Sequence, residues 1–235
     1  MTEFRSGVIR PVECFKEGWE LIKSEYWILF AVLIVGGLIG AFSMYILFGA
    51  MICGIFYCYL QKIDGKPVAF DNVWKGFEHW LPALIATIIM FAPMIVVYLI
   101  LYFPLIAAVV MGSKLSSEEF VGLLVGAFVV DLIFIVLMVC FHTLLIFTFP
   151  LIVDRRLGVL AAMKTSARAV WQNLGGIAGL YGVGFVLSLL GVMTCVGVYF
   201  LAPVMIAGNL VAYRRIFPAA DRFDQPPPPN YYQNS

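Results

Sequence analysis

Four long stretches of the chain contain no charged residue, and they constrain its fold more than any other feature. Residues 26–61, 79–113, 132–153 and 169–213 lack Asp, Glu, Lys and Arg throughout. An α-helix needs about 20 apolar residues to cross the roughly 30 Å of hydrocarbon in a bilayer. Each stretch is therefore long enough to span a membrane, and two of them are long enough to cross it and return.

The composition excludes an ordinary soluble domain. Hydrophobic residues make up 63% of the chain and charged residues only 12%, whereas a soluble domain carries about 25% charged residues. A net charge of +1 gives no indication of a nucleic-acid partner. We therefore expect an all-α integral membrane protein that binds no nucleic acid.

The charge-free stretches divide into about six predicted transmembrane helices. Their approximate bounds are 26–45, 47–61, 81–111, 120–150, 174–193 and 196–215. Together they form a single predicted membrane domain, residues 1–218. The remaining residues, 219–235, contain four consecutive prolines and read as a disordered tail in an extended polyproline conformation.

The basic residues orient these helices. Of the 15 Lys and Arg residues, all except Lys114 fall on the same side of a six-span arrangement. Basic residues concentrate in cytoplasmic loops. Because six spans return the chain to its starting side, both termini are predicted to be cytoplasmic.

Three segments before or between the spans show amphipathic helical patterns that contain Trp. Apolar residues recur at helical spacing in each, and Lys164 and Arg168 are predicted to lie opposite the third stripe. The predicted stripes are Val12, Phe15, Trp19, Ile22 and Tyr26; Phe70, Val73, Trp74 and Phe77; and Leu157, Leu160, Met163, Ala167 and Trp171. Because Trp favours headgroup depth, we predict three hairpins of two spans, each preceded by a cytoplasmic interfacial helix.

Two parts of the sequence resemble known bacterial membrane families of unknown function. The segments FPLIVDRRLGVLAAMKTSARAVWQN and FLAPVMIAGNLVAYRRIF are similar to their carboxy-terminal half, and GWELIKSEYW resembles their amino-terminal signature. These families include the YciC-like proteins and the membrane domain found beside some glycerophosphodiester phosphodiesterases. The resemblance implies a six-helix domain of the bacterial inner membrane with no assigned activity. The phosphodiesterase catalytic domain has no counterpart in this chain.

Polar residues within the predicted spans are candidates for function. Asp131 and His142 are 11 residues apart, so they share a helix face about 16 Å apart along the axis. They either form a proton, ion or polar-solute path, or are satisfied by hydrogen bonds within the bundle. Asn209 is predicted to join neighbouring helices. Pro93 and Pro104 are a candidate hinge in the third span, the alternative being a curved structural helix.

Candidate binding surfaces lie on the predicted cytoplasmic side and on glycine-rich helix faces. A basic face for anionic lipid headgroups or a partner is formed by Arg155, Arg156, Lys164, Arg168, Arg214 and Arg215. Small residues four apart allow helices to approach closely, either within the chain or with another membrane protein. Such pairs are Gly36 with Gly40, Gly122 with Gly126, and Gly175 with Gly179. The proline tail is a further candidate partner site.

No catalytic motif is present in the sequence. The chain has no P-loop, no GxSxG, no HExxH and no paired carboxylates, and its five cysteines lack metal-site spacing. We expect a non-enzymatic protein without cofactor or metal. The first hypothesis is a membrane scaffold or accessory protein, such as a subunit or assembly factor of a larger complex or an organiser of lipid. The alternative is a small transporter or channel that uses Asp131 and His142.

Overall fold

A computed structural model describes residues 4–43, 45–110, 116–194 and 196–219, and this part of the chain is helical without β-strands. Two 3₁₀ helices, Lys23–Glu25 and Phe70–His79, accompany the α-helices. The α-helices are α1 (Pro11–Ile22), α2 (Tyr26–Phe42), α3 (Phe48–Ile63), α4 (Trp80–Val110), α5 (Ser117–Leu144), α6 (Thr148–Arg155), α7 (Val159–Gln172), α8 (Leu174–Val192) and α9 (Gly197–Ile216).

Several of the helices have the length and apolar composition of membrane spans, as expected for a multi-pass membrane protein. Five segments are long and apolar enough to cross a bilayer: Pro11–Phe42, Phe70–Ile100, Glu118–Arg155, Leu174–Val192 and Gly197–Ile216. The remaining apolar helix, α3, has only 16 residues, or about 24 Å at 1.5 Å per residue. The all-α membrane fold expected from the sequence is therefore confirmed, with five long helices where about six spans were predicted.

The predicted fourth span, 120–150, does not form one helix. The first helix in this region, α5, starts before residue 120, because Ser116 and Glu119 form a capping box in which the Glu119 amide donates to Ser116 Oγ at 3.3 Å. It also ends earlier, at Leu144, and α6 begins at Thr148. Pro150 explains the break: it has no amide hydrogen for an uninterrupted helix but is tolerated in the first turn of a new one.

The described chain forms two compact units. Of the described residues, the first contains those in 4–26, 59–67 and 172–219, and the second contains those in 27–58 and 68–171. In the first, α1 packs against α9 and α8. A Cβ atom on Gly18 would lie 2.8 Å from the backbone nitrogen of Gly208, so only glycine allows the two backbones to come this close. Phe15 and Ile22 are buried beside this contact, and burial of such side chains contributes about 1.5–3 kcal/mol each.

Ion pairs and backbone hydrogen bonds tie the first unit together. Arg214 forms a two-pronged ion pair with Asp64, at 2.9 Å from Nε and 2.7 Å from Nη2. The buried side chain of Asn173 accepts a hydrogen bond from the amide of Gly7 at 2.8 Å and donates to the carbonyl of Arg5 at 3.2 Å. The segment before α1 is thus fixed to the start of α8.

In the second unit, α3 packs closely against the 3₁₀ helix Phe70–His79 and the start of α4. A Cβ atom on Gly49 would lie 2.5 Å from the carbonyl oxygen of Ala83 and 2.6 Å from Thr87 Oγ1.

The hydroxyl of Ser166 on α7 joins the two ends of the α5–α6 break, donating to the carbonyl of Leu144 at 2.8 Å and accepting from the amide of Phe147 at 3.1 Å.

Two predicted apolar stripes were wrong in part. On α1, the structure buries Phe15 and Ile22 with Cys14 and Gly18, while Val12 and Trp19 are exposed. On α7, the buried residues are Ala162, Met163, Ser166, Ala169 and Val170. Leu160 and Trp171 instead lie on the exposed face of α7, which they share with Lys164 and Arg168. The buried faces combine large apolar residues with small ones such as Gly18 and Ala162, which permit close helix contact, and part of each predicted stripe lies on the exposed face.

Candidate functional site

Asp131 and His142 line one cavity in the second unit. The cavity has a volume of about 230 Å³ and lies between α4 and α5. Its lining residues are Met94, Tyr98, Asp131, Phe134, Ile135, Met138, Val139 and His142. The shared helix face inferred from the 11-residue spacing therefore becomes a common wall of a small, mainly apolar cavity.

Two tyrosines and a backbone carbonyl complete the polar groups of this site. Tyr102 lies near the Asp131 carboxylate, and its ring stacks on that of Tyr98 with centroids 5.1 Å apart. His142 Nδ1 lies 2.9 Å from the carbonyl oxygen of Met138. A carbonyl only accepts, so Nδ1 donates and Nε2 remains for another partner.

The chemistry of this arrangement is that of an acid, a phenol and an imidazole in apolar surroundings. Such groups exchange protons and bind cations or hydrogen-bond donors. Among the described residues there is no group of three or more metal-ligating side chains of His, Cys, Asp or Glu. The two tyrosines were missed from the sequence, although their spacing of four residues places them on one face of α4.

The other polar and proline candidates lie elsewhere. Asn209 is a half-buried residue of α9 in the first unit and does not line the cavity. Pro93 and Pro104 lie within α4, which is assigned as one uninterrupted helix from Trp80 to Val110. The hinge therefore stays a prediction. The proline tail lies outside the described residues from position 220 onward.

The six basic candidates divide into paired and unpaired residues. Arg214 pairs with Asp64, Arg215 with Glu17 at 2.8 Å, and Arg155 with Asp154 at 3.3 Å. Arg156, Lys164 and Arg168 are exposed and form no ion pair with any residue that the structure places. The paired group stabilises the fold, and the unpaired group, all in the second unit, is free for external anions.

The exposed face of α7, defined by Leu160, Lys164, Arg168 and Trp171, combines apolar and basic side chains. Leu160 and Trp171 are 65% and 69% exposed. Large apolar side chains next to Lys and Arg on an outward face are typical of a helix lying at the membrane–water boundary, with its charges toward headgroups.

The small-residue pairs differ in how they are used. Within the second unit, a Cβ atom on Gly36 would meet Ile55 at 3.1 Å and one on Gly40 would meet Phe48 at 3.2 Å. By contrast, a Cβ atom on Gly122 or Gly126 would meet no described residue within 4 Å. The side chains from Glu118 to Gly126 are all exposed. This part of α5 therefore has no face packed against the described chain.

The comparisons with known proteins return no relative. No protein-family model, curated protein or solved structure matches the chain.

Proposed function

We propose that this chain is a non-enzymatic scaffold or accessory protein of the bacterial inner membrane, and that the α4–α5 hairpin binds another membrane protein. The observation that carries the proposal is the exposed surface of α5 around Gly122 and Gly126, where every residue from 118 to 126 is exposed. Helices associate in lipid by close packing at small residues. A surface of this kind, with no packing partner among the described residues, is suited to a helix from another chain.

The proposed topology has six spans in three hairpins, with α3 as a short second span and both termini cytoplasmic. Its support is the placement of all but one of the 15 basic residues on one side. The exposed Trp19, Trp74 and Trp171 support three interfacial helices: α1, the 3₁₀ helix and α7. The exposed basic face of α7 then lies against anionic headgroups, where each basic residue contributes about 1 kcal/mol. The resemblance to uncharacterised bacterial membrane families agrees with this proposal.

The test replaces both glycines of α5 by leucine in the full chain. We expect Gly122→Leu with Gly126→Leu to release a stoichiometric partner seen when the wild type is extracted in a mild detergent and its mass is measured. Gly182→Leu on α8 is the matched control, because a Cβ atom there also meets nothing within 4 Å. A wild type that migrates alone as a monomer would contradict the proposal, and a doubled mass would identify the partner as a second copy.

A second function, transport of protons, ions or polar solutes, is favoured by one observation: Asp131 and His142 line the same cavity. The carboxyl group is the proposed binding or relay group, because an acid within an apolar helix is costly and is usually kept for function. Asp131→Asn should then abolish solute or proton flux in proteoliposomes, whereas Glu118→Gln at the exposed start of α5 should not. Unchanged flux in Asp131→Asn would exclude the relay.

A further inference from the structure

A second cavity, with charged residues on its wall, lies in the second unit, away from Asp131. It has a volume of about 300 Å³ and is bounded by the end of the 3₁₀ helix, the start of α4 and the α6–α7 connection. Its lining residues are Glu78, His79, Pro82, Ile152, Arg156, Leu157 and Gly158. This volume is at the lower end for ligand pockets, so it suits a small headgroup rather than a whole amphiphile.

The cavity carries opposite charges on its wall. Arg156 is exposed and has no ion pair within the described chain, so its guanidinium is available to a phosphate. Glu78 also lines the cavity. Its carboxylate forms an exposed ion pair with Lys75 at 3.2 Å. Exposed pairs of this kind contribute little, so the Glu78 carboxylate remains open to a second cation. The cavity therefore offers one site for an anion and one for a cation.

The backbone at Arg156 gives an independent indication that its side chain is used. Arg156 ends α6 in the left-handed conformation, with φ of 50°. Glycine is the usual residue at such a helix end because other residues are strained there. An arginine at this position keeps a guanidinium beside the cavity at a conformational cost.

The position of the cavity is that of a membrane boundary. It lies where the apolar helix α4 begins, and Pro82 is in the first turn of that helix. Trp74 and Trp80, on either side of His79 in the chain, are both exposed, and Trp marks headgroup depth. Pro82, Ile152 and Leu157 add an apolar wall next to the charged groups. A ligand with a polar head and an apolar remainder fits this combination.

We propose that this cavity binds the zwitterionic headgroup of a phosphoethanolamine lipid. Arg156 binds the phosphate, Glu78 accepts hydrogen bonds from the ammonium group, and the apolar wall contacts the glycerol and the first chain carbons. The His79 ring supplies a further hydrogen-bonding group beside the phosphate. A phosphoglycerol lipid has the same phosphate but no ammonium group, so it lacks the partner for Glu78. This lipid site does not depend on the protein partner proposed for the α4–α5 hairpin.

The test is native mass spectrometry of the full chain in micelles that contain equal amounts of phosphatidylethanolamine and phosphatidylglycerol. The wild type should retain one phosphatidylethanolamine in preference to phosphatidylglycerol. Arg156→Gly should weaken retention of both lipids about tenfold, which corresponds to the loss of one charge-assisted hydrogen bond. Glycine suits the left-handed backbone, so this variant should fold at least as well as the wild type. Glu78→Gln should remove the preference between the lipids and leave binding of phosphatidylglycerol unchanged.

Lys164→Ala is the matched control, because Lys164 is an exposed base of the same unit that does not line the cavity. Equal retention of the two lipids by the wild type, or a loss in Lys164→Ala as large as in Arg156→Gly, would overturn the proposal. Competition by water-soluble glycerophosphoethanolamine identifies the source of the phosphate. Displacement of the lipid at equal concentration would show that the site serves a free metabolite and would also overturn it.

Discussion

The packing of α1 on α9 and the α4–α5 hairpin are opposite ways of using an apolar helix. In the first, Gly18 and Gly208 bring two backbones into contact, and ion pairs and Asn173 hold the surrounding segments. In the second, a Cβ atom on Gly122 or Gly126 would meet none of the described residues within 4 Å, and most described side chains of α5 are exposed. The same residue type thus closes one interface and leaves another open. Stability of the chain should depend on the first region and recognition on the second.

The largest expected effect comes from filling the closed glycine contact. Gly18→Val should lower the free energy of unfolding by about 3 kcal/mol, because the new side chain must displace the backbone of α9. Gly122→Val, in the open hairpin, should change it by less than about 0.5 kcal/mol. Denaturant unfolding of the purified protein in detergent, followed by Trp fluorescence, measures both. Equal losses in the two variants would remove the distinction between the regions.

An intermediate effect is expected from the ion pair between Arg214 and Asp64. These side chains are 12% and 20% exposed, so Arg214→Ala should cost about 2 kcal/mol by leaving a carboxylate poorly solvated. Arg10→Ala should cost less than about 0.5 kcal/mol, because Arg10 and Glu13 are 74% and 50% exposed. The same unfolding measurement applies. Exchange of the charges, Asp64→Arg with Arg214→Asp, should restore part of the loss, and no recovery would argue against a direct pair.

The smallest of the three effects concerns the two hydrogen bonds of Ser166 at the α5–α6 break. Ser166→Ala should lower the free energy of unfolding by about 1–2 kcal/mol, because a part-buried carbonyl and a buried amide lose the hydroxyl that they share. Hydrogen exchange of the amides at 145–147 should also accelerate. Ser188→Ala is the control, since that hydroxyl has only a long contact of 3.6 Å to the sulfur of Met205. Unchanged hydrogen exchange at 145–147 in Ser166→Ala would show that Ser166 does not stabilise the α5–α6 break.

The sequence predicted the positions of the helices well, because membrane insertion depends on local apolar length. The bounds of α4, α8 and α9 lie within one residue of the predicted spans 81–111, 174–193 and 196–215. The start of α5 was also encoded locally, in the capping pair Ser116 and Glu119, but the pattern was not used. The break before α6 was missed because continuous hydrophobicity conceals it, although Pro150 marks it.

The candidate sites were predicted as residues and not as arrangements. Asp131 stood out because it interrupts an apolar helix, and helical spacing linked it to His142. The participation of Tyr98 and Tyr102 depends on how α4 lies beside α5, which periodicity does not specify. The same limit applies to the basic residues: Arg156 and Arg214 have the same chemistry in the sequence, but only Arg214 meets a carboxylate at close range.

The sequence by itself determined that this protein is helical and crosses a membrane, because hydrocarbon requires long charge-free helices and side-chain transfer energies are local properties. It also predicts that nearly all basic residues lie on one side of the membrane, and this sidedness stays a prediction. Tertiary structure alone decided which glycines pack against a neighbouring helix and which are exposed. It also decided which arginines form ion pairs. These outcomes depend on distances of a few ångströms between segments far apart in the chain. Helix packing sets those distances, since the backbone approaches only where both surfaces are small.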